Sequence, residues 1–374
     1  EVFNVNKVLK SKIFCDGAFQ KKTEQLIKKR IKSNFIALTQ SCTDGLELAA
    51  SLINLKHGDE VIMPSYTFTS TANAVVLKGA KPVFIDINPH DLNINPDKIE
   101  KMITKKTKAI FIVHYGGNCM KLEKILSIKK KYNLFLIEDA AHSFLSKFKN
   151  KYAGTFGDIG VFSFHETKNL AGGQGGAVSI NNKKLIKRTN YLLDKGTNRL
   201  EFLKDHKKQF IPEQEKKRKK NYYSWIDFGS EYRASEITSA LVYSQFIRSD
   251  EIIKTRKKIY EKYFNFFSKK NNNKIEIIKS SKNSKSVYHL FVFKTKTTKL
   301  ATSIRSFLQK KNIPATFHYV PLHSSAFGKK FKHGDMKITN KIWKNIVRLP
   351  LYPDLKNFEI KKILKFLEIS IKKN

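Results

Sequence analysis

The first 180 residues repeat one pattern: a short apolar run, a turn, then a stretch with apolar positions at helical spacing. Apolar runs at 35–38, 60–64, 81–87, 108–113, 134–137 and 162–165 read as buried strands, most of them closed by Pro, Gly or a polar cluster. Between them, 46–55, 70–77, 96–103 and 122–131 read as helices, and 23–31 as an amphipathic one with Leu26, Ile27 and Ile31 on its apolar face. Strands alternating with helices predict an α/β fold whose central sheet is mostly parallel and covered on both faces. In such sheets ligands gather at the carboxyl ends of the strands. Gly176-Ala177-Val178-Ser179-Ile180 predicts a strand lying antiparallel beside its predecessor.

The pattern changes after residue 200. Residues 203–220 are nearly all polar, lack apolar periodicity and end in Glu215-Lys216-Lys217-Arg218-Lys219-Lys220, so they read as a solvated insertion. From 235 to 267 the spacing is helical, with Ile237, Leu241, Ser244 and Gln245 in register. Strands at 287–293 and 316–320 then mix with helices at 303–310 and 358–371. We expect a large domain over 1–245 and a smaller α+β C-terminal domain over 246–374.

Composition narrows the class. No apolar run has membrane-spanning length, so no membrane partner is expected. The start shows no secretory pattern, and Glu1 in place of Met reads as an incomplete N-terminus. Cys15, Cys42 and Cys119 are widely spaced and form no metal-ligand pair, which fits a reducing cytoplasm and predicts no metal. The net charge of +40, from 72 Lys and Arg against 32 Asp and Glu, suggests nucleic acid. The lysines spread over the whole length without a nucleic-acid motif, so a compositional bias explains them and no specific nucleic-acid partner is expected. A non-enzymatic nucleic-acid-binding regulator on the same scaffold is the competing class. An anionic substrate gains from the positive field in either case.

Five features carry chemistry. Ser41-Cys42-Thr43 stands where a strand passes into a helix, and the free backbone N–H groups there, at Cys42 and Thr43, can nest a phosphate. The same residues also read as an ordinary helix cap. Phe68, just past a strand exit, offers a ring for stacking. Asp139 ends an apolar strand, where an unpaired carboxylate would be costly, so it needs a cationic or hydrogen-bonding partner unless it merely caps a helix. Ser163 supplies a hydroxyl. Lys168, in Val161-Phe162-Ser163-Phe164-His165-Glu166-Thr167-Lys168-Asn169 before a glycine cluster, supplies an amine. Pyridoxal phosphate needs each of these. Lys168 would hold it as a Schiff base and move protons, and Asp139 would keep its ring nitrogen protonated. His142 would reach its phenolic oxygen, and Ala141 completes the cofactor-binding set. Tyr66, His165 and the loop residues His318, Tyr319 and His323 are the candidate substrate contacts.

Ser41-Cys42-Thr43, the segment Met63-Pro64-Ser65-Tyr66-Thr67-Phe68-Thr69-Ser70-Thr71-Ala72-Asn73, the box Glu138-Asp139-Ala140-Ala141-His142 and Ser163-Phe164-His165-Glu166-Thr167-Lys168-Asn169 together resemble the DegT/DnrJ/StrS sugar aminotransferases. The resemblance extends to Arg348-Leu349-Pro350-Leu351. It implies a fold-type-I pyridoxal-phosphate aminotransferase acting as a homodimer, with active sites at the subunit interface. Glutamate would be the donor and a nucleotide-linked 4-keto-6-deoxyhexose the acceptor, for surface-glycan synthesis. By motif match, Thr43 and Ser163 would bind the phosphate, Phe68 would stack, Asp139 would pair with the ring nitrogen and Lys168 would carry the cofactor. The look of the Lys168 segment and of Lys195-Gly196-Thr197-Asn198-Arg199 points to the branch that converts dTDP-4-keto-6-deoxyglucose to dTDP-4-amino-4,6-dideoxygalactose. A UDP-linked or 3-keto sugar is the alternative acceptor. Glu231 departs from the pattern, standing where many relatives carry an asparagine that reaches the partner subunit's phosphate. An acid would repel a phosphate, so local backbone or a neighbouring base is expected to make that contact.

Overall fold

The computed structural model describes residues 1–199, 201–202, 223–269 and 273–373. The basic insertion expected at 203–220 lies outside the described residues. Seven strands form the main sheet: β1 (Phe35–Thr39), β2 (Glu60–Pro64), β3 (Lys81–Ile85), β4 (Thr107–Val113), β5 (Phe135–Asp139), β6 (Ile159–Ser163) and β7 (Gly176–Ile180). Their spatial order is β1-β7-β6-β5-β4-β2-β3. The neighbours from β3 to β6 run parallel, and β7 pairs antiparallel with both β6 and β1. The chain is therefore α/β, with the mixed edge that the 176–180 pattern predicts.

Both faces of this sheet are buried, because successive side chains point to opposite faces and both sets are apolar. Ile62, Ile110, Ile112 and Leu136 pack on one face with Ile27 and Ile31 of α2 (Ala18–Ile31); Val61, Phe111 and Ile137 pack on the other with Leu48 and Ala49 of α3 (Cys42–Leu52). The register of β4, β5 and β6 places Val113, Asp139 and Val161 side by side, so β4 and β5 end level with each other and β6 runs two residues further, to Ser163.

The C-terminal part builds its own core. A three-stranded sheet, β8 (Ile275–Ile277), β9 (Phe291–Thr295) and β10 (Ile346–Leu349), packs through Phe291, Phe293 and Val347 against Tyr263, Ile304 and Leu367. The helix expected over 235–267 is two helices, Glu236–Ile247 and Ser249–Ser268, broken at Arg248. We propose that the two units divide between residues 245 and 246, in the last turn of the first of these helices.

Three local expectations change. Residues 96–103 form two 3-10 turns, Pro96–Lys98 and Glu100–Met102, because proline fixes the start and Asn95 caps it. Residues 316–320 form no strand; Thr316 makes only a single bridge to Arg348, and β10 occupies the sheet instead. The N-terminal residues Val2–Ser11 form a helix where a polar start offered no pattern. Among the described residues, no helix is long and apolar enough to cross a membrane.

Candidate active site

A cavity of about 470 Å³ opens where β4, β5 and β6 end, between the large unit and the small one. Its floor comes from the large unit. Ser41 caps α3, accepting from the backbone N–H of Asp44 at 3.0 Å, so the ordinary cap is present. The cap also exposes the first turn: Cys42 and Thr43 line the cavity, and Thr43 Oγ1 lies 2.8 Å from Ser70 Oγ. The close approach that builds this corner needs a glycine. A Cβ on Gly176 would stand 2.6 Å from the Cys42 nitrogen.

Asp139 is buried with 6% of its surface exposed. Its Oδ2 accepts from Thr71 Oγ1 at 2.7 Å, and its Oδ1 accepts from the Ala141 N–H at 3.1 Å. Burial raises its pKa despite those bonds and the nearby Lys168. The preceding residue anchors the strand end. Glu138 accepts from the backbone N–H groups of Gly154, Phe156 and Gly157 and lies 2.7 Å from His114 Nε2, with both side chains fully buried.

Lys168 sits at the tip of the connection between β6 and β7. That connection closes on itself through Phe164 N–H to the Gly175 carbonyl at 2.8 Å and Glu166 N–H to the Gly173 carbonyl at 2.9 Å. Gly173 has φ +77°, which lets the return limb turn. The small unit clasps this tip: Asn169 Nδ2 donates to the Val287 carbonyl at 3.0 Å and Arg256 Nη2 to the Lys168 carbonyl at 3.4 Å. Burial lowers the Lys168 pKa, and Arg348 adds to the effect, while Cys42 and Asp139 oppose it.

The opposite wall is aromatic and comes partly from the small unit. His289, His318, Tyr319 and Arg348 line it with His142. His142 Nδ1 accepts from the Gly116 N–H at 3.4 Å, so its Nε2 carries the proton toward Tyr319 Oη, 2.9 Å away. Both nitrogens are engaged within the protein, so His142 offers the cavity its ring rather than a free nitrogen for a phenolic oxygen. Burial drives the pKa of His142 and His289 well below the ordinary value and that of His318 down to about 4. All three are neutral at pH 7.

The other expected residues divide. Phe68, Ala141, Ser163 and His165 line the cavity, and Phe68 keeps 58% of its surface exposed there. Tyr66 is buried behind the wall, its hydroxyl donating to the His318 carbonyl. His323 lies away from the cavity, buried between Ser65 Oγ at 2.6 Å from Nδ1 and Asn340 Oδ1 at 3.0 Å from Nε2. Glu231 is half-exposed and forms an ion pair with Lys195. His289 and Arg348 are cavity residues that the motifs did not single out as site residues. The sequence places His289 inside an apolar run and Arg348 at the head of the Arg348-Leu349-Pro350-Leu351 segment, and neither pattern marks a residue that faces a cavity.

The residues fit pyridoxal phosphate. The exposed first turn of α3, with the hydroxyls of Thr43 and Ser163, suits its phosphate. The buried Asp139 lacks a full counter-charge, which a protonated ring nitrogen would supply. Lys168 presents a primary amine to the same cavity.

Comparison with known proteins agrees with this geometry. The model of the DegT/DnrJ/EryC1/StrS aminotransferase family matches residues 1–368. GDP-perosamine synthase of Escherichia coli O157:H7 is 31% identical over 95% of this chain and 91% of its own. The UDP-4-amino-4,6-dideoxy-N-acetyl-beta-L-altrosamine transaminase of Campylobacter jejuni is 30% identical over 98% of this chain and 93% of its own. Among solved structures, Helicobacter pylori PseC, an aminotransferase of pseudoaminic acid biosynthesis, superposes with TM-score 0.88 at 25% identity, covering 99% of this chain and 96% of PseC.

Proposed function

This chain belongs to the DegT/DnrJ/EryC1/StrS aminotransferase family, and from that premise we propose its substrates and assembly. It is a pyridoxal-phosphate-dependent nucleotide-sugar aminotransferase. Our finer reading is that glutamate donates the amino group and that dTDP-4-keto-6-deoxyglucose accepts it at C4, giving dTDP-4-amino-4,6-dideoxygalactose for a surface glycan in the cytoplasm. The aminotransferase chemistry is supported by the meeting of the Lys168 amine, the Asp139 carboxylate and the exposed first turn of α3 in one cavity, and the choice of acceptor by the look of the Lys168 segment and of Lys195-Gly196-Thr197-Asn198-Arg199. The name of the Campylobacter relative favours a UDP-linked sugar as the second reading.

When bound, the cofactor supplies the electron sink that stabilises charge left at carbon as a C–H proton departs. The protein's residues do the rest. The first turn of α3 with Thr43 and Ser163 would hold the phosphate, and Asp139 would keep a proton on the ring nitrogen. Lys168 Nζ would carry the proton between carbon atoms; its lowered pKa makes the neutral, basic amine accessible. His142, His289 and Tyr319 exclude water and close one side, and Phe68 would cover the ring.

We propose further that two copies assemble. Tyr223, Trp225, Ile226 and Phe228 are exposed in one short segment, Trp225 at 80%, and an apolar cluster of this kind supports burial against a second copy. Light scattering tests this.

Purified protein should be yellow, absorbing near about 420 nm, and should lose that band on adding glutamate. A panel of nucleotide keto-sugars, followed by stereochemical assignment at the aminated carbon, then tests the acceptor. Failure of every 4-keto sugar rejects the finer reading.

A further inference from the structure

We propose that Arg256 is a positioning residue for the reaction, its buried guanidinium tying the Lys168 backbone to the wall of the cavity, an inference that rests on the aminotransferase reading above. Arg256 lies on the helix Ser249–Ser268, is not among the residues that line the cavity, and has 3% of its surface exposed. Its bonds reach three separate segments. Nη1 donates to the Leu351 carbonyl at 2.9 Å and to the His289 carbonyl at 3.5 Å, and Nη2 donates to the Lys168 carbonyl at 3.4 Å. Leu351 follows β10, His289 precedes β9 and lines the cavity, and Lys168 belongs to the large unit.

An arginine buried this deeply is normally paired with a carboxylate. Arg256 is not: burial and the like-charged Arg348 push its pKa down to about 10, with no acid acting against them, and it is still a cation at pH 7. Its Nε has no partner among the described residues, so the bonds of this charge go to the three carbonyls. The place asks for reach rather than for charge. A guanidinium holds its donors in a rigid planar fork, and one side chain can therefore bond carbonyls that converge on it from different segments. An ammonium would offer a single nitrogen, and an apolar side chain would leave the carbonyls unpaired.

The connection that carries Lys168 needs such a clamp. It runs on through Gly172, Gly173, Gly175 and Gly176, which restrain the backbone little, so contacts from outside set the position of its tip. The bond to Leu351 anchors the guanidinium in the small unit, and the two longer ones extend from it to the wall and to the lysine. Asn169 adds a second tether through Nδ2 to the Val287 carbonyl at 3.0 Å. Burial keeps His289 neutral and the Arg256 charge adds to that effect. The distance between the reacting amine and the wall that faces it thus depends on one side chain that touches neither substrate nor cofactor.

The test compares Arg256→Lys and Arg256→Met with Tyr263→Phe. Tyr263 lies on the same helix and its hydroxyl donates to the Pro350 carbonyl at 2.9 Å, so its variant loses a bond to the same segment without touching Lys168. In cofactor-loaded protein without sugar, the visible band is followed after rapid mixing with glutamate. Arg256→Lys should slow the limiting rate by about 10- to 100-fold, the cost of a displacement of about 1 Å, and leave the half-saturating glutamate concentration within about 2-fold. Arg256→Met should lose more, and Tyr263→Phe should keep the wild-type rate. In cofactor-free protein, amide hydrogen exchange over residues 164–176 should rise by about 10-fold in the Arg256 variants and stay unchanged in Tyr263→Phe, a readout that needs no turnover. The lysine variant carries the test if the methionine variant does not fold. Equal slowing in Tyr263→Phe, a loss confined to the half-saturating concentration, or unchanged exchange over 164–176 overturns the assignment. If wild-type protein answers no amino acid, the aminotransferase reading itself falls; if it does and Arg256→Lys matches its limiting rate, only this inference falls.

Discussion

The cavity has two walls of different origin. The floor is built from three strand ends of one sheet: Thr43 after β1, Asp139 ending β5, and Ser163 ending β6 with Lys168 just beyond it. Each follows from a local rule, since a parallel sheet delivers the carboxyl ends of its strands to one edge. The aromatic wall draws His289, His318, Tyr319 and Arg348 from three separate segments of the small unit: the rings of His289, His318 and Tyr319 pack against His142, and Arg348 contacts His318. In the reading proposed above, the floor holds the groups that do chemistry on any substrate of the class and the wall is where choice of substrate resides. The wall holds the neutral His142, His289 and His318 together with Arg348, which pairs with no carboxylate among the described residues. On that reading the wall can vary while the reaction stays the same.

The comparison is tested hardest by Lys168→Ala, which should lower turnover by at least about 10⁴-fold and remove the visible band while circular dichroism stays native. A wall substitution with an equal loss of turnover would break the division. Asp139→Asn comes next, with kcat falling by about 10²- to 10³-fold through lost charge stabilisation, and with little change in KM for the sugar. His323→Ala should leave both kinetic constants nearly unchanged and cost about 1–3 kcal/mol of stability, read from urea unfolding, because Ser65 and Asn340 lose a buried partner. A rise in sugar KM without loss of stability would return His323 to the site.

The smallest effect concerns pH in cofactor-free protein. The folded pKa of Asp139 is raised, so the native state binds more protons than the unfolded chain above the ordinary value of 3.8. Its contribution to stability is therefore lost as pH rises from 3.8 through the folded value. Asp139→Asn should flatten that part of a melting-temperature profile. A profile with unchanged slope would show that Thr71 and Ala141 already hold the carboxylate as an anion.

The N-cap at Ser41, the strand closed by Asp139 and the lysine after Ser163 were legible because a few adjacent residues define each, and period and turn chemistry act over that distance. Glycine at 176 was visible, but its reason, the Cys42 nitrogen 2.6 Å from where a Cβ would lie, involves a residue far back in the chain. His323 and His318 show the limit most clearly. They share one loop and look alike in sequence, yet one is pinned between Ser65 and Asn340 and the other faces the cavity against Arg348. The sequence by itself determined the α/β pattern, the strand-end chemistry and the cofactor class, because these depend on local period and residue type. The tertiary structure alone decided which polar residues of the small unit face the cavity and that Arg348 meets no carboxylate among the described residues, because burial and charge pairing depend on neighbours brought together from distant parts of the chain.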